Sequence, residues 1–252
     1  MKNRLIEIYW LKEYENIRKI PKNTFYKEDD FNKTYEKLFT KDVDSIHIIS
    51  ALNKNIINIS TFKSDNYNYS EIYYIYVSLK SITKIDDIIK IIHNIIPNPC
   101  IITLQYNDYI YISTATKRIN KNDKTKQVIE EYFDTSKLDL DYLSEIEKEF
   151  LKNINIKNNS FENFKRFYLD ISNKIFIFNI QELRWGYKKT NVENIDMLIN
   201  KFKKYKKAKS ELTTIESNFK EEINMWAEAI LHTQIVEKKK ELEKILKEIK
   251  EV

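Results

Sequence analysis

Hydrophobic positions recur along this chain with two different periods, and the changes of period mark its organisation. In "NRLIEIYWLKEYENIRK", Leu5, Ile8, Leu11 and Tyr14 share one helical face, which predicts an amphipathic helix ended by Pro21. "DDFNKTYEKLF" repeats the spacing through Phe31, Tyr35, Leu38 and Phe39 and predicts a second, short helix capped by Asp29 or Asp30. Near Val43 the character changes. "VDSIHIISALN" and "IINISTF" are rich in β-branched residues, and the "NKN" between them is a hairpin signal. "SEIYYIYVSLK" is apolar on both alternating sets, Ile72, Tyr74 and Tyr76 against Tyr73, Ile75 and Val77, as in a strand covered on both faces. "KIDDIIKIIHNII" is helical, with Ile85, Ile88, Ile89 and Ile92 inward, and "PNP" stops it. "CIITLQY" and "YIYISTATK" predict two strands with "ND" as the tight turn between them. "QVIEEYF" fits a strand or a helix equally.

From about residue 137 the spacing is helical again, through "LDYLSEIEKEFLKNI" and "SFENFKRFYLDI"; "KIFIFNIQELRW" is ambiguous. Residues 191–251 contain neither proline nor glycine. "VENIDMLINKFKKY" is amphipathic, and Ile235, Leu242, Ile245, Leu246 and Ile249 repeat at spacings of three and four, as in a helix packed on a partner or a short coiled coil. The pattern predicts an α+β protein. A mixed α/β sheet domain spans 1–150, a partly helical inserted segment 151–190, and a helical or coiled-coil region 191–252.

Composition narrows the chemistry mainly by exclusion. Gly186 is the only glycine in 252 residues. Glycine-rich phosphate loops, dinucleotide-binding turns and nucleophile elbows need several positions with positive φ or close backbone approach, so those enzyme classes fit poorly. Asparagine is expected to take over turns, since it tolerates the left-handed region best after glycine. Charged residues are 32 % of the chain, above the roughly 25 % of ordinary domains, which fits long exposed helices. The net charge of +5 permits nucleic-acid contact without requiring it, because heavy use of Ile, Lys, Asn and Tyr reads as the bias of an AT-rich genome. Cys100 is the single cysteine, so no disulfide forms within the chain and a cytoplasmic location is expected. The first ten residues are too polar and short for a signal peptide, and no apolar run reaches the roughly 18 residues that span a bilayer.

Candidate reactive groups are few. His47, His93 and His232 share no metal-ligand spacing and read as packed or surface histidines. Asp29 and Asp30, Asp86 and Asp87, and Glu130 and Glu131 have plainer uses as helix caps, first-turn charges or solvated groups. Glu71 and Lys80 bracket one strand and stand about 30 Å apart at the usual rise, too far to share a metal and a phosphate. No metal, cofactor or catalytic residue is expected. Basic residues cluster at Arg18, Lys19 and Lys22, at Lys117, Arg118, Lys121, Lys124 and Lys126, at Lys188 and Lys189, and at Lys203 to Lys207. The cluster after "STATK" is the strongest candidate, on an expected strand-end loop where ligands are usually met. Lys22, Lys80, Lys117, Arg118 and Lys121 are the candidate contacts for nucleic acid or an acidic partner.

"KIPKNTFY", "SEIYYIYVSLK", "KIDDIIKIIHNIIPNPCIITLQYND", "YISTATKR" and "EEYFDTSKLDLDYL", in that order, resemble a bacterial and archaeal family called domain of unknown function 4391. The charged helical tail is similar as well. The resemblance covers about residues 15–143 and 205–250. Residues 155–190 look like an insertion, and Thr116 stands where members often carry an aromatic residue. The resemblance implies no catalytic residues. It does imply a context, since such proteins tend to be encoded beside helicases and DNA methyltransferases of restriction-like phage-defence islands. The expectation is a non-catalytic accessory subunit of a helicase-containing defence or restriction system. It would act by protein binding, with nucleic acid and a homo-oligomer through the C-terminal helices as further candidate partners. The alternatives are a divergent metal-dependent nuclease, and an oligomeric scaffold or phage-encoded inhibitor.

Overall fold

The computed structural model describes residues 2–26, 33–181 and 192–251. The chain divides into two compact units, residues 1–179 and 180–252. The segment 155–179 belongs with the sheet unit.

The first unit runs α1 (Lys2–Tyr9), β1 (Arg18–Ile20), α2 (Asn23–Tyr26), α3 (Lys33–Asp42), β2 (Val43–Asn53), β3 (Phe62–Lys63), β4 (Asn68–Tyr69), β5 (Glu71–Leu79), α4 (Ile85–Ile95), β6 (Cys100–Tyr106), β7 (Tyr109–Ile119), β8 (Gln127–Asp134), β9 (Leu138–Asp139), α5 (Glu145–Asn153) and α6 (Phe164–Ile180). Among the described residues, seven strands form one mixed sheet in the order β1-β2-β5-β6-β7-β8, with β9 also on β7. Only β5 and β6 run parallel; the other neighbours are antiparallel. A parallel pair needs a crossover, and α4 supplies it.

Because side chains alternate along β5 and β6, the sheet buries both faces. Ile75, Val77, Cys100, Ile102 and Leu104 meet Ile88, Ile89, Ile91 and Ile92 of α4 together with Phe25 and Phe39, whose rings lie 5.3 Å apart. On the other face Tyr74 packs edge-on to Tyr9 of α1 at 5.0 Å, and the Tyr9 hydroxyl is 2.6 Å from that of Thr103. Residues 164–180 cover this second face as a single helix, so the ambiguous "KIFIFNI" is helical. Its Phe176 meets Phe133 of β8, and its Phe178 stacks on Phe150 of α5 at 4.2 Å. Tyr168 of α6 stands at the end of the β6–β7 ladder, where its hydroxyl accepts from the Ala115 amide and shares its one proton between the Cys100 and Ala115 carbonyls, 2.9 and 3.0 Å away.

Several elements differ from the sequence expectation, each for a physical reason. The first helix ends at Tyr9, well before Pro21. Trp10 takes φ 58°, the Leu11 amide bonds back to Ile6 O at 2.8 Å and the Trp10 amide to Glu7 O at 3.1 Å. That is a Schellman ending with tryptophan in the place glycine usually fills, and the apolar residues Ile6 and Leu11 at its two ends are both buried. Arg18–Ile20 then adds to the edge of β2 as a strand. "IINISTF" does not pair with β2, which is paired by β5 along its length on one edge and by β1 at Ile46–Ile48 on the other. Instead Ile56 and Ile57 bond through their amides to Asn53 O, and Ile57 and Ile59 are buried from an irregular loop. "QVIEEYF" is a strand on β7. Asp29, Asp30 and Phe31 of the second predicted helix lie outside the described residues, and its described part begins at Lys33.

The second unit is an antiparallel hairpin of α7 (Val192–Glu221) and α8 (Met225–Glu251). Thirty residues at about 1.5 Å each make α7 roughly 45 Å long. Lys238 bridges Glu211 at 2.8 Å and Lys239 bridges Glu216 at 3.2 Å across the pair, while Phe219 meets His232. The periodic apolar residues read as a coiled-coil seam therefore have a partner helix in the same chain. No helix among the described residues is long and apolar enough to cross a membrane.

Candidate functional site

The five candidate basic residues fall into two groups. Lys22 and Lys80 converge on the C-terminal end of α3. The Lys22 ammonium donates to Phe39 O at 3.2 Å and to Val43 O, and Lys80 donates to Thr40 O at 3.4 Å. Carbonyls at a helix C-terminus carry partial negative charge, so both lysines are placed where the helix itself attracts them. Partial burial, and then the nearby Lys80 charge, lower the Lys22 pKa.

Lys117, Arg118 and Lys121 lie at the opposite end of the sheet. Lys80 follows Ser78, which pairs with Gln105, whereas Lys117 stands two residues beyond the position facing Cys100. The offset is nine residues along the strands, or about 30 Å, so the two groups do not form one patch. The strand β7 runs two residues beyond "STATK", through Ile119, so Arg118 lies in the ladder beside Lys117 and not on the expected loop. Alternation then sends them to opposite faces. Lys117 is only 2 % exposed; its ammonium donates to Ile96 O and, at 3.2 Å, to Asn98 O. Arg118 is half-buried, 4.0 Å from the Glu130 carboxylate and bonded to Ile119 O. Lys121 is exposed in the β7–β8 turn.

Beside Lys117 runs a buried polar chain that the sequence had presented as unrelated residues. Cys100 Sγ lies 3.3 Å from His93 Nδ1, and His93 Nε2 lies 2.9 Å from Ser113 Oγ. α4 supplies the histidine, β6 the thiol and β7 the hydroxyl. All three side chains are buried. Burial raises the thiol pKa and, with the Lys117 charge second, drives that of His93 well below its ordinary value. Both groups are therefore neutral at pH 7. A thiol that donates to neutral imidazole, which donates on to serine, satisfies each buried polar atom. The same neutrality deprives the thiol of nucleophilic character, which needs the thiolate.

His93, Asn94, Lys117, Thr125, Lys126 and Gln127 line a cleft of about 250 Å³ where the end of α4 meets the β7–β8 turn. A neighbouring cleft of about 290 Å³ shares Asn94 and Gln127 and adds Tyr35, Asp87 and Lys90. Among the described residues no group of three or more His, Cys, Asp or Glu is placed to hold a metal ion. Glu71 is occupied by Asn53 and Tyr73 at the start of β5, whereas Asp108 sits in the turn that ends β6.

A third feature escaped the sequence reading. The hairpin turn presents Ile223 at 96 % exposure, Met225 at 75 %, Trp226 at 80 % and Ile230 at 61 %. Polar atoms alone hold this turn: Glu222 Oε1 accepts from the Ile223 and Asn224 amides, and Asn224 Oδ1 caps α8 by accepting from the Trp226 and Ala227 amides. The signal was nevertheless present. At 100° per residue Trp226 lies about 180° and Ile230 about 140° from Ile235, off the seam that the rest of α8 follows.

No curated protein and no solved structure matches the chain. Residues 12–242 match the model of a family described as Domain of unknown function (DUF4391), a span that includes the 155–190 segment taken from sequence as an insertion. With nearly its whole length matched, the chain belongs to the DUF4391 family.

Proposed function

We propose that this chain is a non-catalytic accessory subunit of a helicase-containing phage-defence or restriction-like system, and that it engages its helicase partner through the tip of the α7–α8 hairpin. The carrying observation is the exposure of Ile223, Met225, Trp226 and Ile230 on a turn whose geometry needs none of them. Isolated apolar side chains on a surface are ordinary, but four large ones grouped at one tip mark an interaction site. Burying each against a partner is worth roughly 1.5–3 kcal/mol, and tryptophan is among the commonest dominant residues of interfaces. Glu221, Glu222 and Glu228 flank the apolar group against one basic residue, Lys220, which leaves the flank acidic on balance. The complementary surface is an apolar pocket with a basic rim, a combination that fits a nucleic-acid-binding motor. The family resemblance supplies the helicase context, and the buried neutral state of Cys100 and His93 supports a binding role over a nucleophilic one.

Co-expression with a candidate partner helicase tests the reading. The wild-type chain co-purifies with that helicase, and the chain with Ile223→Ser, Met225→Ser and Trp226→Ser does not, although its helical circular dichroism is unchanged. Equal recovery of the two, or recovery of neither, refutes the assignment.

A further inference from the structure

The proposed docking at the hairpin tip makes no use of the cleft between α4 and the β7–β8 turn. Lys117 is buried there as an ammonium whose bonded partners are neutral main-chain carbonyls, and among the described residues no carboxylate forms an ion pair with it. A buried cation without a counterion is costly, whereas a cation beside a cleft can be neutralised by an anion that enters. Lysine has three donors, and the two carbonyls account for two of them. The other walls are suited to an anion. Lys126, Thr125, Gln127 and Asn94 all line the cleft, and no acidic residue does.

The turn carrying these groups is already folded. Asp123 Oδ1 accepts from the Thr125 amide at 2.9 Å and from its hydroxyl at 2.5 Å, the Lys126 amide bonds to Asp123 O at 3.0 Å, and the Asn120 amide bonds to Lys126 O at 3.0 Å. Asp123, the nearest acid in that turn, is thus committed to holding its shape. A preformed site loses little ordering entropy when it binds.

We propose that this cleft binds a phosphate group, with Lys117 and Lys126 as the cations and the Gln127 side-chain amide as a hydrogen-bond donor. The adjoining cleft lined by Tyr35, Asp87, Asn94 and Gln127 gives the group that carries the phosphate a place to lie, with an aromatic ring and amide and carboxylate partners. The ligand class is a phosphomonoester such as a nucleotide. Arg118 and Lys121 take no part, since neither lines the cleft.

Titration calorimetry on the full chain at low salt, with inorganic phosphate, adenosine 5′-monophosphate and adenosine as probes, tests this. Both phosphate-bearing probes bind and adenosine does not; a tighter monophosphate assigns a role to the adjoining cleft, and equal affinities confine recognition to the phosphate. Lys126→Gln, an exposed residue whose replacement leaves the core intact, weakens phosphate binding about tenfold, the worth of one charge-assisted contact, while Lys121→Gln on the same turn leaves it unchanged. Lys117→Met abolishes binding in protein that remains folded. If neither phosphate-bearing probe binds at millimolar concentration, or if Lys121→Gln weakens binding as much as Lys126→Gln, the cleft is not a phosphate site.

Discussion

Replacing His93 should change how stability depends on pH, and the structure sets both the sign and the size. His93 is buried between Cys100 and Ser113, 3.3 Å and 2.9 Å from its two ring nitrogens, and Lys117 adds positive charge nearby. Desolvation first and that charge second hold its folded pKa well below 6.5. In the unfolded chain the ring titrates near 6.5. Below that pH the unfolded state binds a proton that the native state does not, so stability falls as pH falls. One such group lowers stability by at most about 1.4 kcal/mol per pH unit, or at most about 2 kcal/mol between pH 6.5 and 5. His93→Gln removes the titration. At pH 7.5 the variant is the less stable protein by about 1–3 kcal/mol, because it leaves buried polar partners unmatched. Urea melts at pH 7.5, 6 and 5, followed by circular dichroism, give the difference between the two proteins, in which all shared titrations cancel. The gap should narrow by up to about 2 kcal/mol on going to pH 5. A gap independent of pH would mean that His93 is protonated or solvent-linked in the native state, and the buried chain described above would be wrong.

Lys22→Met keeps the aliphatic stem but removes the donor to Phe39 O and Val43 O, and should cost about 1–2 kcal/mol in urea melts; an unchanged midpoint would show that the α3 carbonyls need no cation. Tyr168→Phe leaves the buried Ala115 amide and the Cys100 carbonyl without their partner, with an expected cost of about 1–3 kcal/mol and faster exchange of the Ala115 amide hydrogen. Asn107 takes φ 53° in the β6–β7 turn, so Asn107→Val should lower stability by about 1–2 kcal/mol, whereas Asn107→Gly should not, as thermal melts will show. Lys174 is half-buried against the Asn153 and Asn158 carbonyls and the Asn159 side chain, and burial lowers its pKa to about 8. The unfolded chain still binds that proton up to about pH 10.4, so stability should rise from about pH 8 toward 10 in the wild type and less so in Lys174→Met.

The strands β5 and β6 and the helix α4 were legible because continuous apolar runs and the Ile88, Ile89 and Ile92 spacing leave one way to bury them. The end of α1 was not, because a tryptophan at positive φ does the work usually done by glycine, and nothing in the local sequence announces it. The "IINISTF" hairpin failed for a non-local reason: β5, which follows it in sequence, pairs along the length of β2 in its place. The basic candidates show the same limit. Sequence put Lys117, Arg118 and Lys121 together, but strand alternation carried on through Ile119 sends Lys117 and Arg118 to opposite faces, and Lys117 is buried against the Ile96 and Asn98 carbonyls. His93, Cys100 and Ser113 were invisible as a group, since they come from three elements whose adjacency follows only from the crossover. The exposed tip was readable in principle, through the angular offset of Trp226 and Ile230 from the α8 seam.

Affinity for the proposed helicase partner, compared between the wild-type chain and Trp226→Ala, addresses the functional account most directly. Trp226 is 80 % exposed, so its removal leaves the hairpin folded, and circular dichroism and mass in solution stay the same. The account predicts a loss of affinity of about thirtyfold or more, equivalent to at least 2 kcal/mol for a central interface tryptophan. An unchanged affinity would contradict it.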